Sequence, residues 1–387
     1  MIKIEHVNLD KISRNYFNQI KVSIKSRCDY FLNVLNVIFR GASNNLKQHS
    51  LHGSLKKTLT NQLLLATSKL ENQSQYVNVL RANIEPWVVL QEQLIFDILN
   101  YLNDDKNLED LILCRPDSAI NTENDVKNSV GLTTLMDSNI KLLINSIIDF
   151  SLFDDYAYKI ANELNVNTCP YCNRNYINTV ISKKGKGIIR PTFDHFFSQK
   201  HHPFLALSFF NLIPSCYYCN SSLKGSNVMK LDTHLHPYLE GFYSDVTFNV
   251  LIKDLKPNKS DPENFSLIFK DNMIYMSPFD RYRKIFGGSR VLDNLKEGNI
   301  NLFKLKDIYQ SHLDIVGELV VKCDMLNTTY ANSLKSILEP LASSNEEFYQ
   351  FYFGNYFNEK NFNRRPMAKL TKDLVEQILP VFNLMSK

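Results

Sequence analysis

Four of the seven cysteines stand as two Cys-x-x-Cys pairs, Cys169-Pro170-Tyr171-Cys172 and Cys216-Tyr217-Tyr218-Cys219. Four thiolates at that spacing suit a tetrahedral structural zinc, with sulfur at about 2.3 Å from the metal. The opening stretch, MIKIEHVNLDKISRNYF, has no apolar signal core. Paired cysteines in such a chain read as zinc ligands rather than disulfides. Cys28, Cys114 and Cys323 stand alone and read as buried small hydrophobes. The 43 residues between the pairs exceed what a bare zinc ribbon needs, so they must contain structure of their own. Zinc binding there would supply on the order of 10 kcal/mol of folding energy.

Inside this frame lie Asp194-His195, Asn211 and Asn220. Hydrolysing a phosphodiester requires an activated water, neutralised oxygens and a stabilised leaving alkoxide. His195 suits the general base. Asp194 is a hard anionic ligand for Mg²⁺ or Mn²⁺. Asn220 is a candidate second contact to that ion, with a helix N-cap as the competing role. Asn211 is expected to orient the His195 ring or to pin a loop by hydrogen bonds. His201 and His202 read as spacers, and His234 and His236 as second-choice metal ligands.

The net charge of +4 is unevenly spread. From Cys169 to Lys230 the basic residues are Arg174, Lys183, Lys184, Lys186, Arg190, Lys200, Lys224 and Lys230, against the single carboxylate of Asp194. Such an island suits a polyanionic backbone. Arg190 and Lys224 are candidate phosphate contacts, and Lys183, Lys184 and Lys186 project from a turn between two strands. A solvated basic hairpin is the plainer alternative.

The string CPYC, then FDH, then NLIPSCYYCN with SLKG, resembles the HNH endonuclease family. The resemblance implies a ββα-metal, treble-clef-like module: a His at a strand end, an Asn on the facing strand and a His or Asn on the following helix. The third position here is Asn220 rather than His, which favours Mg²⁺ or Mn²⁺ over softer ions. The longer stretch TCPYCNRNYI with DHFFSQKHHPFLALSFFNLIPSCYYCN, followed by HPY, resembles the HNH subunits of Septu-type antiphage systems, including those attached to retrons. In those systems the nuclease works beside an ABC-type or SMC-like ATPase. In retron-linked cases a reverse transcriptase and its RNA–DNA product join them. The resemblance implies a nucleic-acid substrate, DNA ahead of RNA, with tRNA still in play. The chain carries no G-x-x-x-x-G-K-[S/T] phosphate loop, as expected if a partner hydrolyses ATP. A zinc module that binds nucleic acid without cutting it is the alternative from another class.

The elements that must position these residues follow from periodicity. At 387 residues, 44% of them apolar and 22% charged, the chain is long enough for two or three cores. The expected class is α+β, mostly α: a helical region over 1–165, the zinc module over 166–240, a short β-containing segment over 241–300 and a helical region over 301–387. Ile98 and Leu102, and Ile140, Leu143, Ile144 and Ile147, mark helical stripes in the first region. The polar stretch from Asn103 to Val130 reads as a long connection. Tyr176 to Ile181 and Ile188 to Phe193 read as a hairpin around Lys183-Lys184-Gly185-Lys186-Gly187. Val246 to Ile252 and Phe265 to Phe269 read as strands flanking a loop with Pro257 and Pro262. Leu305, Ile308, Tyr309, His312, Val316, Leu319, Val320 and Cys323 share one helix face, with His312 as a core histidine. Ser344 to Glu347 is a capping box ahead of an aromatic run. No stretch approaches a membrane span, and a cytoplasmic location is the expectation.

Overall fold

The computed structural model describes residues 1–40, 86–132, 138–253, 261–273, 279–288, 297–326, 328–338 and 344–379. The helical expectation for 41–85 and the Pro257 loop lie outside them. The described residues are mostly helical with a few short strands, and form two compact units. None of their helices is long and apolar enough to cross a membrane.

One unit comprises Asn8–Ile160 with Phe197–Leu212. Its helices are α1 (Leu9–Arg40), α2 (Pro86–Leu90), α3 (Glu92–Asn103), α4 (Asp105–Leu113), α5 (Ala119–Ser129), α6 (Ser138–Ile147) and most of α7 (Ser151–Leu164). The stretch expected to be a connection, Asn103 to Val130, is therefore two helices. Its polar residues hid a narrow apolar stripe, Leu108, Leu111 and Ile112 in α4 and Ala119 and Val126 in α5, all buried. Asp104 starts α4 by accepting from the Asn107 amide at 2.9 Å. These helices clamp the segment Phe197–Leu212. Tyr16 Oη donates to the Leu207 carbonyl at 2.9 Å, Ser208 Oγ donates to the Leu111 carbonyl at 2.7 Å, and the Arg115 guanidinium lies 4.2 Å from the centre of the Phe210 ring.

The other unit comprises Met1–Val7, Ala161–Phe196 and Ile213–Lys387. A two-stranded hairpin, β1 (Val180–Ile181) and β2 (Gly187–Ile189), pairs Val180 with Ile189, and Gly185 takes a left-handed φ of 78° at its turn. The second predicted strand does not run on to Phe193. Pro191 has no N–H to continue a ladder, and the chain restarts as β3 (Thr192–His195), which pairs instead with β4 (Leu212–Ser215). A short helix of π type, α8 (Tyr218–Lys224), follows. Then β5 (Val246–Ile252) and β6 (Phe265–Asp271) pair antiparallel in full register, as the alternation predicts.

Helices follow: α9 (Phe279–Phe286), α10 (Asn299–Leu302), α11 (Leu305–Gln310), α12 (Leu313–Met325) and α13 (Thr328–Leu338). The single helix face expected from Leu305 to Cys323 is thus split between α11 and α12, with His312 at the break. His312 is half-buried there, 3.2 Å from Arg174 Nη1, and burial with that neighbouring cation lowers its pKa. The capping box at Ser344–Glu347 opens α14 (Asn345–Phe353), and α15 (Ala368–Ile378) closes the unit. Part of the aromatic run is core: Phe348, Tyr349 and Phe353 are buried, Tyr352, Tyr356 and Phe357 are half-buried, and Phe351 is exposed. Burial pushes the thiols of Cys28 and Cys323 up to about 12 and that of Cys114 up to about 11, as befits small hydrophobes.

Candidate metal centre and active site

Cys169, Cys172, Cys216 and Cys219 converge, all buried, with their sulfur atoms within 4.8 Å of one another. Four sulfurs bound tetrahedrally to zinc lie about 3.8 Å apart, so the cluster fits such an ion. The local fold explains the convergence. The Asn173 amide donates to the Cys169 carbonyl at 2.7 Å, the Cys169 amide donates to the Asn175 carbonyl at 3.0 Å, and Asn173 itself takes a left-handed φ of 50°. Amide groups then point at sulfur: Arg174 N to Cys172 Sγ and Cys219 N to Cys216 Sγ, both 3.4 Å, and Asn175 Nδ2 to Cys216 Sγ at 3.3 Å. Hydrogen bonds from the neighbouring cysteines hold Cys216 and Cys172 below the usual thiol range. Burial raises Cys169, and hydrogen bonding to its neighbours raises Cys219. A bound cation would favour the thiolate at all four. Tyr309 anchors the first knuckle by donating to the Cys172 carbonyl.

Asp194 and His195 end β3. Asp194 is buried, and both its oxygens are engaged. Oδ1 accepts from Lys224 Nζ at 2.5 Å, and Oδ2 accepts from Tyr171 Oη at 2.7 Å. Lys224 Nζ also donates to the His195 carbonyl at 2.5 Å. Lys224, expected to face a phosphate track, is instead buried and turned inward, binding the end of β3 to the end of α8. Tyr171 lies between two cysteines of the first knuckle, is fully buried and stacks on Phe303 with ring centroids 4.4 Å apart. Burial and the adjacent Asp194 carboxylate push its phenol well above the ordinary value, so it remains a donor.

Asn220 sits inside α8, not at its start. Its backbone N–H donates to the Cys216 carbonyl and its carbonyl accepts from the Gly225 amide, both at 3.0 Å. The residue at the cap position is Tyr217, so the N-cap role that competed for the Asn220 side chain does not arise; Asn220 is half-buried. His195 is also half-buried. Lys183, Lys184 and Lys186 are exposed on the β1–β2 turn, while Arg190 is half-buried and donates to the Pro191 carbonyl at 3.1 Å.

In the helical unit, Asn211 takes the second of its two expected roles. Its Oδ1 accepts from the Phe197 amide at 2.7 Å, and its Nδ2 donates to the carbonyls of Phe197 and Leu205 at 3.0 and 2.9 Å. It pins the loop that follows His195 in the chain. His202 is no spacer: its Nδ1 lies 2.7 Å from the buried Glu123 carboxylate, which also meets Lys127 at 3.1 Å. His234 and His236 are buried. Neither joins a group of three or more metal-ligating side chains among the described residues; the four cysteines do.

Sequence reasoning missed Tyr171 and Glu123. Tyr171 is 23 positions from Asp194, and Glu123 is 79 from His202, so no local spacing marks either. The nearest signal for Tyr171 was a hydroxyl held inside a zinc knuckle, in a module with a single carboxylate. Comparison with protein-family models, with curated proteins and with solved structures returned no match.

Proposed function

We propose that the chain is a metal-dependent endonuclease of HNH type, cutting phosphodiester bonds in nucleic acid. The observation that carries this reading is the order β3, β4, α8 on a four-cysteine frame, with Asp194-His195 ending the first strand and Asn220 within the helix. In this reading His195 takes the proton from the attacking water. Asp194 and Asn220 are oxygen donors of the type Mg²⁺ and Mn²⁺ prefer, and such an ion, when bound, polarises a phosphoryl oxygen and neutralises developing charge. Lys224 becomes a positioning residue. One ammonium fixes the Asp194 carboxylate and the His195 main chain together, and a divalent ion at Asp194 must share or displace it. Lys183, Lys184 and Lys186 supply the positive track, and Asn211 holds the loop.

Incubating the protein with plasmid, single-stranded DNA and total RNA under Mg²⁺ or Mn²⁺ tests the reading. Cleavage that falls about 10²- to 10⁴-fold in His195→Ala is the expected result. Equal cleavage by wild type and variant would sink it. We further propose, from the resemblance to Septu-type subunits, that the chain is an antiphage effector controlled by an ABC or SMC-like ATPase. Coexpression from the native operon should then yield a stable complex, and separate elution of the two would argue against it.

A second reading, a zinc module that binds nucleic acid without cutting it, gains from one observation. An anion inside a phosphate track costs affinity unless a cation neutralises it. Lys224 provides that neutralisation within the protein. Undiminished binding with no turnover on added Mn²⁺ would favour this second reading.

A further inference from the structure

Three tyrosines are strongly exposed on the zinc frame: Tyr176 at 59%, Tyr217 at 63% and Tyr218 at 57%. Among the described residues only Phe351 is an aromatic side chain as exposed as these three. They belong to one metal centre. Tyr217 and Tyr218 fill the middle of the second knuckle, and Tyr176 follows Asn175, whose side-chain amide donates to Cys216 Sγ at 3.3 Å. The Tyr217 and Tyr218 rings are 6.3 Å apart and inclined at 76°, an edge-to-face arrangement that leaves both rings more than half exposed. Each offers a separate stacking surface. Tyr218 opens the helix that carries Asn220, and the exposed Ser221 and Ser222 continue along it.

The charge around these rings identifies what they meet. Asp194, the sole carboxylate from Cys169 to Lys230, is buried on Lys224. Every fully exposed charge that this segment adds to the zinc-bearing unit is therefore cationic: Lys183, Lys184, Lys186 and Lys230. Exposed aromatic faces on a segment whose exposed charges in this unit are all lysines suit a ligand that is itself aromatic and polyanionic. Bases paired and stacked within a duplex hide their faces, and only unpaired bases can lie on a phenol ring.

We infer that Tyr217 and Tyr218 form a base-stacking platform, so that the site takes unpaired nucleotides, a single strand or loop, in preference to duplex. The inference rests on the nucleic-acid reading of the module and names its substrate class. The lysines grip the backbone, and the tyrosines select for splayed bases next to the candidate catalytic helix. Because the rings ride on zinc-ordered knuckles, little conformational freedom is lost on stacking.

The test is binding with cleavage switched off. Zinc-loaded His195→Ala protein, without added Mg²⁺ or Mn²⁺, is titrated against a short fluorescein-labelled DNA strand, its RNA counterpart and the same DNA annealed to its complement, and followed by anisotropy. Single strands should bind at least about tenfold tighter than duplex. Tyr217→Ala and Tyr218→Ala should each weaken single-strand binding about tenfold, with the slope against salt unchanged, whereas the matching Phe variants should keep it within about twofold. Changing Lys183, Lys184 and Lys186 together to Ala should weaken both forms and flatten the slope. Equal affinity for duplex, or alanine variants that bind as wild type, overturns the inference, and the latter result would assign the face to a protein partner. A parallel cleavage assay on wild type separates the two claims. Tyrosine-dependent binding without cleavage under any metal removes the nuclease reading and leaves the platform standing; duplex cleavage at the single-strand rate does the reverse.

Discussion

Replacing Lys224 by Met probes the centre of the proposed site, because the ammonium it removes holds two groups at once. The side chains of Lys224 and Asp194 are 4% and 3% exposed, so solvent screens their attraction little. In Lys224→Met the Asp194 carboxylate keeps the Tyr171 hydrogen bond at 2.7 Å but loses its cation, and the His195 carbonyl loses its donor. Breaking a buried pair by removing one partner costs about 3–5 kcal/mol. Denaturant unfolding of the zinc-loaded protein should show a loss of that size. Adding Asp194→Asn removes the stranded charge, and the double variant should regain at least about half of it, a coupling read from the double-mutant cycle. If Asp194 also binds a divalent ion, Mn²⁺ should stabilise Lys224→Met more than wild type, by about 2.7 kcal/mol at a concentration 100 times Kd. A loss below about 1 kcal/mol, or the same loss in an Asp194→Asn background, would refute the claim that this pair is buried and mutually dependent.

Other perturbations have equally definite outcomes. With zinc as the ion held by the four cysteines, Cys216→Ser should abolish its retention and unfold the module, since such an ion would contribute on the order of 10 kcal/mol; zinc content by mass spectrometry and proteolysis between Cys169 and Lys230 read this directly. Asn211→Ala strands the Phe197 amide and two carbonyls in a buried loop and should cost about 2–4 kcal/mol by denaturant unfolding. Tyr171→Phe removes one donor to a buried carboxylate and should cost about 1.5–3 kcal/mol while leaving zinc content intact.

The four-cysteine cluster was legible because its members come in contiguous pairs, a signal local to the chain. The strands Val246–Ile252 and Phe265–Asp271 were legible from alternation, and the cap at Ser344 from its four-residue box. The helices over Asp105–Leu113 and Ala119–Ser129 were not, because their exposed faces are wide and polar enough to swamp a stripe of a few apolar residues. Lys224 was misplaced for a different reason: a lysine's pattern in sequence is the same whether its ammonium meets solvent or a buried carboxylate. The clamp of Asn211 on Phe197 and Leu205 and the pairing of His202 with Glu123 depend on chain folding back over distances that spacing does not encode.

Tyr171, which stands between Cys169 and Cys172 in the chain and donates to Asp194, ties the state of the cysteine cluster to the carboxylate's orientation. Oxidising the knuckle, without any damage to the Asp-His pair, would release the phenol and misalign the carboxylate. On the nuclease reading proposed above, a sample exposed to peroxide would lose cleavage in step with the metal its four cysteines release.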